Sequence, residues 1–294
     1  MRSNIQHYLK SIRLWQWVKN IVVFTLPLGV GSASSEIITN VFISFLGISL
    51  ISSSTYITND INDISIDKLH PIKKMRPIAA GLIDVRKARF LSIILLLLGF
   101  LLLNYLNLPT FLFGLLYFCS GLLYTLKIKF IPYLDTLLIS FLFLIRVLIG
   151  GSAVNIQPSL YLTSFVFFSS ACLALSKRIS IYLDQRISNH SQYKQFLLAN
   201  YKIELLNNLF KFSASVSLTT YFLWLILVKF DSTLNISELF LTISFVFLIR
   251  IFYGILILSN SSELEDFVKA LVSNKKELIY SLISFLSLLI GIYV

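Results

Sequence analysis

Three aspartates at helical spacing are the first residues of this chain whose types and positions could support catalysis. Asp60, Asp63 and Asp67 stand at positions i, i+3 and i+7, so a helix would place their carboxylates on one face. The amide side chain of Asn59 is next to them in the sequence. Like charges this close repel one another unless a cation lies between them, and Mg2+ prefers such hard oxygen ligands. We therefore predict that these four residues bind magnesium and that the three aspartates are catalytic.

A basic segment follows the aspartates and extends the predicted site. His70, Lys73 and Arg76 come directly after the predicted helix, which Pro71 and Pro77 interrupt. A metal-bound diphosphate needs cations that neutralise its remaining charge, and Lys and Arg side chains supply them. We expect all three residues to contact phosphate, with Lys73 and Arg76 also catalytic. A solvated loop whose charges only set membrane topology is the alternative, although topology gives no reason for four oxygen-bearing side chains in register.

The composition indicates which elements must hold this site. Of the 294 residues, 56% are hydrophobic and 13% are charged, and the mean hydropathy is +0.82. At roughly 20 residues per bilayer crossing, this predicts an all-α polytopic membrane protein and excludes disordered, collagen-like, coiled-coil and disulfide-stabilised classes. Nine predicted spans lie near residues 18–36, 39–58, 88–106, 109–126, 134–153, 159–176, 212–230, 237–258 and 277–294.

The basic charge of the chain, formally +11, is distributed unevenly between the predicted spans. One predicted face of the membrane holds 22 of the 25 Lys and Arg residues, in the N-terminal segment and in the loops 59–89, 127–129, 177–211 and 259–276. Such an asymmetry orients membrane helices, and it predicts a plasma-membrane or inner-membrane protein whose N-terminus and long loops are cytoplasmic. Because topology explains the charge, nucleic acid is not a predicted partner.

Two further basic residues lie within or at the end of predicted spans. Arg146 falls inside the fifth span, where an arginine costs about 2.5–3.5 kcal/mol on insertion scales. It could contact a phosphate in a pocket, or it could form a structural ion pair with a carboxylate on a neighbouring helix. Lys127 ends the fourth span close to Tyr124, either as a phosphate ligand or as an anchor that reaches the membrane interface.

The acidic and basic segments together resemble the UbiA superfamily of intramembrane prenyltransferases. Its first signature, NDxxDxxxD after the second span, is matched in full by the residues 59–67. The branch of decaprenyl-phosphate phosphoribosyltransferases extends this signature to NDxxDxxxDxxHPxKxxRPIAxG, and every specified position agrees with residues 59–81. The resemblance implies a nine-helix membrane bundle with cytoplasmic active-site loops, forming one domain over residues 1–294.

Two shorter motifs of the same branch add expected substrate contacts. RPxQWxKN appears at residues 13–20, with leucine in place of the proline, and implies contacts from Gln16 and Lys19. A YSxxLK-type segment appears loosely at residues 124–127 and implies contacts from Tyr124 and Lys127.

The second acidic motif of the superfamily is altered in this chain. The branch often reads KRxxE after the sixth span; Lys177 and Arg178 match it, but Ile181 stands where the acid is expected. Asp184 is seven residues from Lys177 and could present a carboxylate on the same helix face. We expect Lys177, Arg178 and Asp184 to bind substrate. The departure leaves open whether a second metal binds and which substrate is used.

The resemblance implies a magnesium-dependent transferase with two substrates. The donor would be 5-phosphoribosyl diphosphate from the cytoplasm, and the acceptor would be a polyprenyl phosphate within the lipid bilayer. One alternative keeps the metal site but takes a prenyl diphosphate as donor and an aromatic or other small molecule as acceptor. An alternative of another class is a transporter or flippase for a phosphorylated lipid, although transporter sites usually form near mid-membrane rather than in a cytoplasmic loop.

Overall fold

The described part of the chain is helical. In the computed structural model, the described residues are 2–29, 34–69, 73–184, 192–229, 235–260, 270 and 273–294. No strand occurs within these ranges, which confirms the all-α prediction. The α-helices are α1 (Arg2–Ile12), α2 (Thr25–Gly29), α3 (Ser35–Asn62), α4 (Ile64–Leu69), α5 (Val85–Leu106), α6 (Leu108–Leu126), α7 (Leu134–Ala153), α8 (Leu160–Leu183), α9 (Gln192–Asn200), α10 (Ile203–Trp224), α11 (Ile236–Asn260) and α12 (Lys275–Tyr293). They are joined by 3-10 helices at Leu14–Phe24, Lys73–Met75 and Ile128–Phe130 and by a π-helical turn at Leu225–Lys229.

Eight helices in the described ranges are long and apolar enough to cross a bilayer, which confirms the prediction of a polytopic membrane protein. They are α3, α5, α6, α7, α8, α10 with its π-helical turn, α11 and α12, and they coincide with eight of the nine predicted spans. The remaining predicted span, 18–36, contains most of the 3-10 helix Leu14–Phe24, then α2 and the start of α3, while residues 30–33 lie outside the description. The β-branched residues 21–23 favour α-helix weakly, and Pro27 lacks the amide proton that a longer helix requires.

The chain divides into two compact units. Unit 1 comprises Met1–Leu28, Ser32–Ile131 and Leu144–Pro158, and unit 2 comprises Gly29–Gly31, Pro132–Phe143 and Ser159–Val294. Each unit is a helical assembly with buried side chains of its own. The expected single domain over residues 1–294 stays a prediction.

Close contact between α3 and α5 is the basis of packing in unit 1. A Cβ atom added to Gly99 of α5 would lie 2.8 Å from the carbonyl oxygen of Gly47 in α3. Small residues at such crossings allow the backbones of membrane helices to approach closely. Ser54 of α3 and Ser92 of α5 also form a side-chain hydrogen bond of 2.9 Å. The position of α3, which carries Asp60 near its C-terminal end, is therefore fixed by α5.

The 3-10 helix Leu14–Phe24 packs on another side of α3. The Trp17 indole Nε1 donates a hydrogen bond of 2.9 Å to Ser53 Oγ, and Asn20 Nδ2 donates one of 3.0 Å to Ser49 Oγ. The end of this 3-10 helix meets α7, because a Cβ atom at Gly150 would lie only 1.9 Å from the backbone oxygen of residue 23. These contacts hold the N-terminal segment against the helix that carries the first aspartate.

Unit 2 is assembled from pairs of long helices. The helix α8 packs against α10, and α11 packs against α12. Between α8 and α10, Ser169 Oγ and Ser217 Oγ form a hydrogen bond of 2.6 Å. The apolar core around these helices includes Cys172, Leu175, Ile179, Phe210 and Ile255. The first residues of α7 also belong to this unit and bring Asp135 to it.

Candidate active site

Two buried carboxylates converge on one arginine at the end of α3 in unit 1. Arg76 Nη1 donates a hydrogen bond of 3.0 Å to Asp60 Oδ1 and one of 2.7 Å to Asp67 Oδ2. Arg13 Nη2 donates a further hydrogen bond of 2.5 Å to Asp60 Oδ1. Asp60 is 2% exposed and Asp67 is 1% exposed, so the arginines supply compensation that water cannot. The structure therefore brings together three of the predicted site residues, Asp60, Asp67 and Arg76.

The aspartate spacing produces this convergence through two helices rather than one. The helices α3 and α4 meet at Asp63, which corrects the expectation that all three aspartates share one continuous helix. The helical turn nevertheless continues through the junction: Asp63 N–H donates to the Asn59 carbonyl at 2.9 Å, and Asp67 N–H donates to the Asp63 carbonyl at 2.8 Å. Because the i to i−4 register is kept, Asp60 and Asp67 still point to one place.

The loop after Arg76 explains how this side chain reaches the carboxylates. Ile78 and Ala79 belong to this loop, and their buried side chains anchor it. Gly81 has φ of +73°, a conformation that L-residues with side chains rarely adopt, and nothing lies within 4 Å of a Cβ atom built there. Glycine is thus needed here for its backbone conformation, not because a side chain would lack room. The segment 77–81 of the extended signature therefore folds as a turn that holds Arg76 in place.

Asp63 contacts a different cation. Lys129 Nζ donates a hydrogen bond of 2.6 Å to Asp63 Oδ1, and Asn59 Nδ2 donates one of 3.1 Å to Asp63 Oδ2. The four predicted magnesium ligands thus form two groups: the carboxylate pair Asp60 and Asp67, and the neighbouring pair Asn59 and Asp63.

Sequence reasoning missed Arg13 and Lys129 as members of this site. Arg13 was visible as the first residue of the motif at 13–20, and Lys129 as part of a short basic loop. Their partners were not visible, because Arg13 and Lys129 lie 47 and 66 residues from the aspartates they contact.

The carboxylate pair fits a magnesium ion whose remaining ligands are phosphate oxygens. Among the residues that the structure describes, no three His, Cys, Asp or Glu side chains form a group that could hold a metal. Mg2+, however, is usually bound by one or two carboxylates together with substrate phosphates and water. Burial raises the pKa of Asp67, an effect that Arg76 and Lys73 reduce and Asp60 increases. A metal ion where Asp60 and Asp67 meet is therefore favourable when the negative charge of a substrate phosphate accompanies it.

The other predicted contacts of unit 1 differ in burial. Gln16 is buried, Lys19, Lys73 and Tyr124 are half-buried, and Lys127 is exposed at the end of α6. His70 and the adjoining Pro71 lie outside the described residues. Substrate contacts from these residues stay predictions.

Arg146 belongs to a buried hydrogen-bond network within the membrane part of unit 1. Its Nε donates to Asn20 Oδ1 at 2.8 Å, and its Nη2 donates to the Tyr117 hydroxyl at 2.7 Å. The Tyr117 hydroxyl lies 3.0 Å from Ser52 Oγ of α3. These partners are neutral amide and hydroxyl groups. Contact between Arg146 and a phosphate stays a prediction.

A second buried ion pair lies in unit 2. Arg178 directs Nε and Nη2 at Asp135 Oδ2, at 2.7 and 2.6 Å. The Tyr201 hydroxyl donates to Asp135 Oδ1 at 2.8 Å, and burial together with the negative charge of Asp135 raises the pKa of Tyr201. Through Asp135, Arg178 of α8 is joined to the start of α7 and to the segment around Tyr201. Its contact with substrate stays a prediction.

The altered second motif is divided between solvent and core. Lys177 is exposed, whereas Ile181 is buried in the apolar core of unit 2. Asp184 follows the last residue of α8 with an extended backbone, so it does not continue the helix face of Lys177 as its spacing suggested. It is buried, and Lys194 Nζ donates a hydrogen bond to its backbone carbonyl. A role for Asp184 in place of the missing acid stays a prediction.

Comparison with known proteins adds independent evidence. The model of the UbiA prenyltransferase family matches residues 21–274. A decaprenyl-phosphate phosphoribosyltransferase of Mycolicibacterium smegmatis is 30% identical over 229 residues, which cover 76% of this chain and 71% of that protein. One from Mycobacterium tuberculosis is 29% identical over 222 residues, covering 74% and 72%. A UbiA homologue from Archaeoglobus fulgidus, solved with GPP and Mg2+, has the same fold, with a TM-score of 0.70 at 16% identity over 98% of this chain and 99% of that one.

Proposed function

This chain belongs to the UbiA prenyltransferase family, and from that premise we propose that it transfers 5-phosphoribose from phosphoribosyl diphosphate to a polyprenyl phosphate in the bilayer, releasing diphosphate. The observation that carries the proposal is the convergence of Asp60 and Asp67 on Arg76, which brings two carboxylates suited to Mg2+ and a cation suited to phosphate to one point. The choice of phosphoribosyl donor rests on relatives of about 30% identity that carry that activity in their names.

In this proposal the carboxylate pair binds Mg2+ and the basic residues bind the donor diphosphate. Asp60 and Asp67 hold the metal, with Asn59 and Asp63 beside them, while Lys73, Arg76 and His70 contact phosphate oxygens. Bound Mg2+ supplies Lewis-acid stabilisation of negative charge on the departing diphosphate. Gln16, Lys19, Tyr124 and Lys127 contact substrate from the neighbouring segments of unit 1.

The reaction needs positioning and charge stabilisation more than proton transfer. A phosphate oxygen of the acceptor attacks the anomeric carbon of the ribose, and the bond from that carbon to the diphosphate oxygen breaks. Positive charge develops on the sugar while negative charge passes to the leaving group, which Lys73 and Arg76 stabilise. The acceptor phosphate is already ionised at neutral pH, so no general base is required. The proposed site faces the cytoplasm, where the soluble donor is present, as the Lys and Arg distribution favours.

Transfer of label from phosphoribosyl diphosphate to a lipid-extractable product tests the proposal. Purified protein, polyprenyl phosphate and Mg2+ should give product with the natural chain and with Glu36→Gln, which removes an exposed acid at the other end of α3. Asp67→Asn should abolish the product, because it removes one of two metal ligands from a buried site. Prenylation of an aromatic acceptor from a prenyl diphosphate, with no phosphoribosyl transfer, would contradict the proposal and favour the second class of reaction.

A further inference from the structure

We propose that Arg13 is an exchanging counter-ion: it neutralises Asp60 when no metal is bound, and it contacts the donor diphosphate when metal and donor bind together. This inference rests on the metal and diphosphate site of the proposed function, but not on the identity of the group transferred. Arg13 thereby makes metal binding depend on the presence of diphosphate.

The balance of charges in the site is the first reason for this inference. Two buried carboxylates, Asp60 and Asp67, form ion pairs with two guanidinium groups, those of Arg13 and Arg76, so these pairs are balanced without a metal. The positive charge of Lys73 also acts on Asp67. A divalent cation added alone would leave two positive charges in excess in a buried space, which is costly. A diphosphate group carries negative charge of similar size. Metal and diphosphate together therefore restore the balance that either one alone would disturb.

The contacts of the two arginines decide which of them exchanges. Arg76 bridges both carboxylates, and its loop is anchored by buried residues. Within the described ranges, Arg13 bonds a single carboxylate, Asp60, and its guanidinium carbon lies 5.2 Å from the centroid of the Tyr56 ring. Moving Arg13 therefore breaks one ion pair, whereas moving Arg76 breaks two.

The backbone at Arg13 places its side chain at a junction between elements. Arg13 lies between α1 and the 3-10 helix Leu14–Phe24, in a left-handed conformation with φ of 56° and ψ of 52°. The two flanking elements are held to α3, since Ser53 Oγ donates to the carbonyl of residue 12 and accepts from Trp17 Nε1. The backbone is thus fixed on both sides, and the exchange needs only the long Arg13 side chain to rotate.

Opposite effects of one variant on two ligands test this inference. Two titrations use the full-length protein in nanodiscs. In the first, Mn2+ is added alone and its binding is measured from the spectroscopic signal of free Mn2+. In the second, labelled inorganic diphosphate is added in excess Mg2+. Arg13→Gln removes the internal competitor for Asp60 and one phosphate ligand. We expect Mn2+ to bind about tenfold more tightly and diphosphate about tenfold more weakly, the size of one charge-assisted hydrogen bond.

Lys10→Gln is the matched control, because Lys10 is an exposed cation on α1 only three residues away. It should change both affinities by less than about twofold, since exposed charges are screened. Arg13→Lys keeps the charge and should restore Mn2+ binding close to that of the natural chain. Arg13→Met is a second neutral variant for use if Arg13→Gln does not yield folded protein.

The inference is overturned if the neutral variants leave Mn2+ affinity unchanged or weaken both ligands together, as a purely structural arginine would. Absence of Mn2+ and diphosphate binding to the natural chain would reject the metal site itself, and with it this inference. Opposite shifts without phosphoribosyl transfer would support Arg13 and reject only the donor assignment. Displacement of labelled diphosphate by phosphoribosyl diphosphate or by a prenyl diphosphate then identifies which donor uses the site.

Discussion

Removal of Arg178 should destabilise unit 2 strongly, and the contacts of Asp135 give the size of the effect. Asp135 is 1% exposed and Arg178 is 3% exposed. Loss of one partner of a buried ion pair costs about 3–5 kcal/mol, because the other charge is left without compensation. In Arg178→Met, the Tyr201 hydroxyl and the Thr136 N–H still donate to Asp135 Oδ1, at 2.8 and 2.7 Å. We therefore expect the lower end of the range, about 3 kcal/mol of unfolding free energy.

Reversible unfolding in mixed micelles measures this free energy, and a double-mutant cycle isolates the pair. Asp135→Asn alone should also destabilise, because it leaves a buried guanidinium without its carboxylate. The double variant should lose less than the sum of the single losses, by about 2 kcal/mol. Lys177→Met, at the adjacent exposed position, should change stability by less than about 0.5 kcal/mol. Additive single effects, or an Arg178→Met effect as small as that of Lys177→Met, would refute the reasoning.

Three further outcomes are expected. Gly81→Ala should lower stability by about 1–2 kcal/mol and slow transfer, because its φ of +73° is unfavourable for alanine; Gly29→Ala, also with open space around the added atom, is the control and should not slow transfer. Arg146→Lys should lower the midpoint of thermal unfolding measurably, because a single ammonium cannot reproduce the two divergent hydrogen bonds of the guanidinium. The raised pKa of Tyr201 means that the folded chain keeps a proton which the unfolded chain loses above about pH 10, so stability should fall above that pH more steeply in the natural chain than in Tyr201→Phe.

The sequence predicted the parts of the site that depend on local spacing. The i, i+7 relation of Asp60 and Asp67 was sufficient to place both carboxylates together, and it tolerated the junction at Asp63 because the helical hydrogen bonds continue through it. Arg76 was predicted from its position after the aspartates, and the glycine turn that holds it is also local. Eight of the nine predicted spans coincide with helices in the described ranges, because apolar runs of sufficient length leave few alternatives in a bilayer.

Contacts between distant segments were not predictable in the same way. Arg178 could have bound a phosphate or a carboxylate, and only the fold of unit 2 shows that Asp135 accepts hydrogen bonds from its Nε and Nη2 atoms. The sequence predicted a charged partner for Arg146. An amide and a hydroxyl group accept hydrogen bonds from it, and a second hydroxyl group extends this network, so that three elements take part. At residues 18–36, apolar composition alone did not distinguish a long helix from two short ones.

The serines of α3 have a consequence for the order in which the chain is assembled. Ser53 is bonded to a residue that precedes α3 in the chain, whereas Ser54 and Ser52 are bonded to Ser92 and Tyr117, which are synthesised later. When α3 first enters the bilayer, part of its polar surface is therefore still unsatisfied. We expect its rotation about its own axis, and with it the direction of the first aspartate, to become fixed as α5 and then α6 pack against it. We therefore expect membrane insertion and formation of the candidate site to be coupled through the hydroxyl groups of α3.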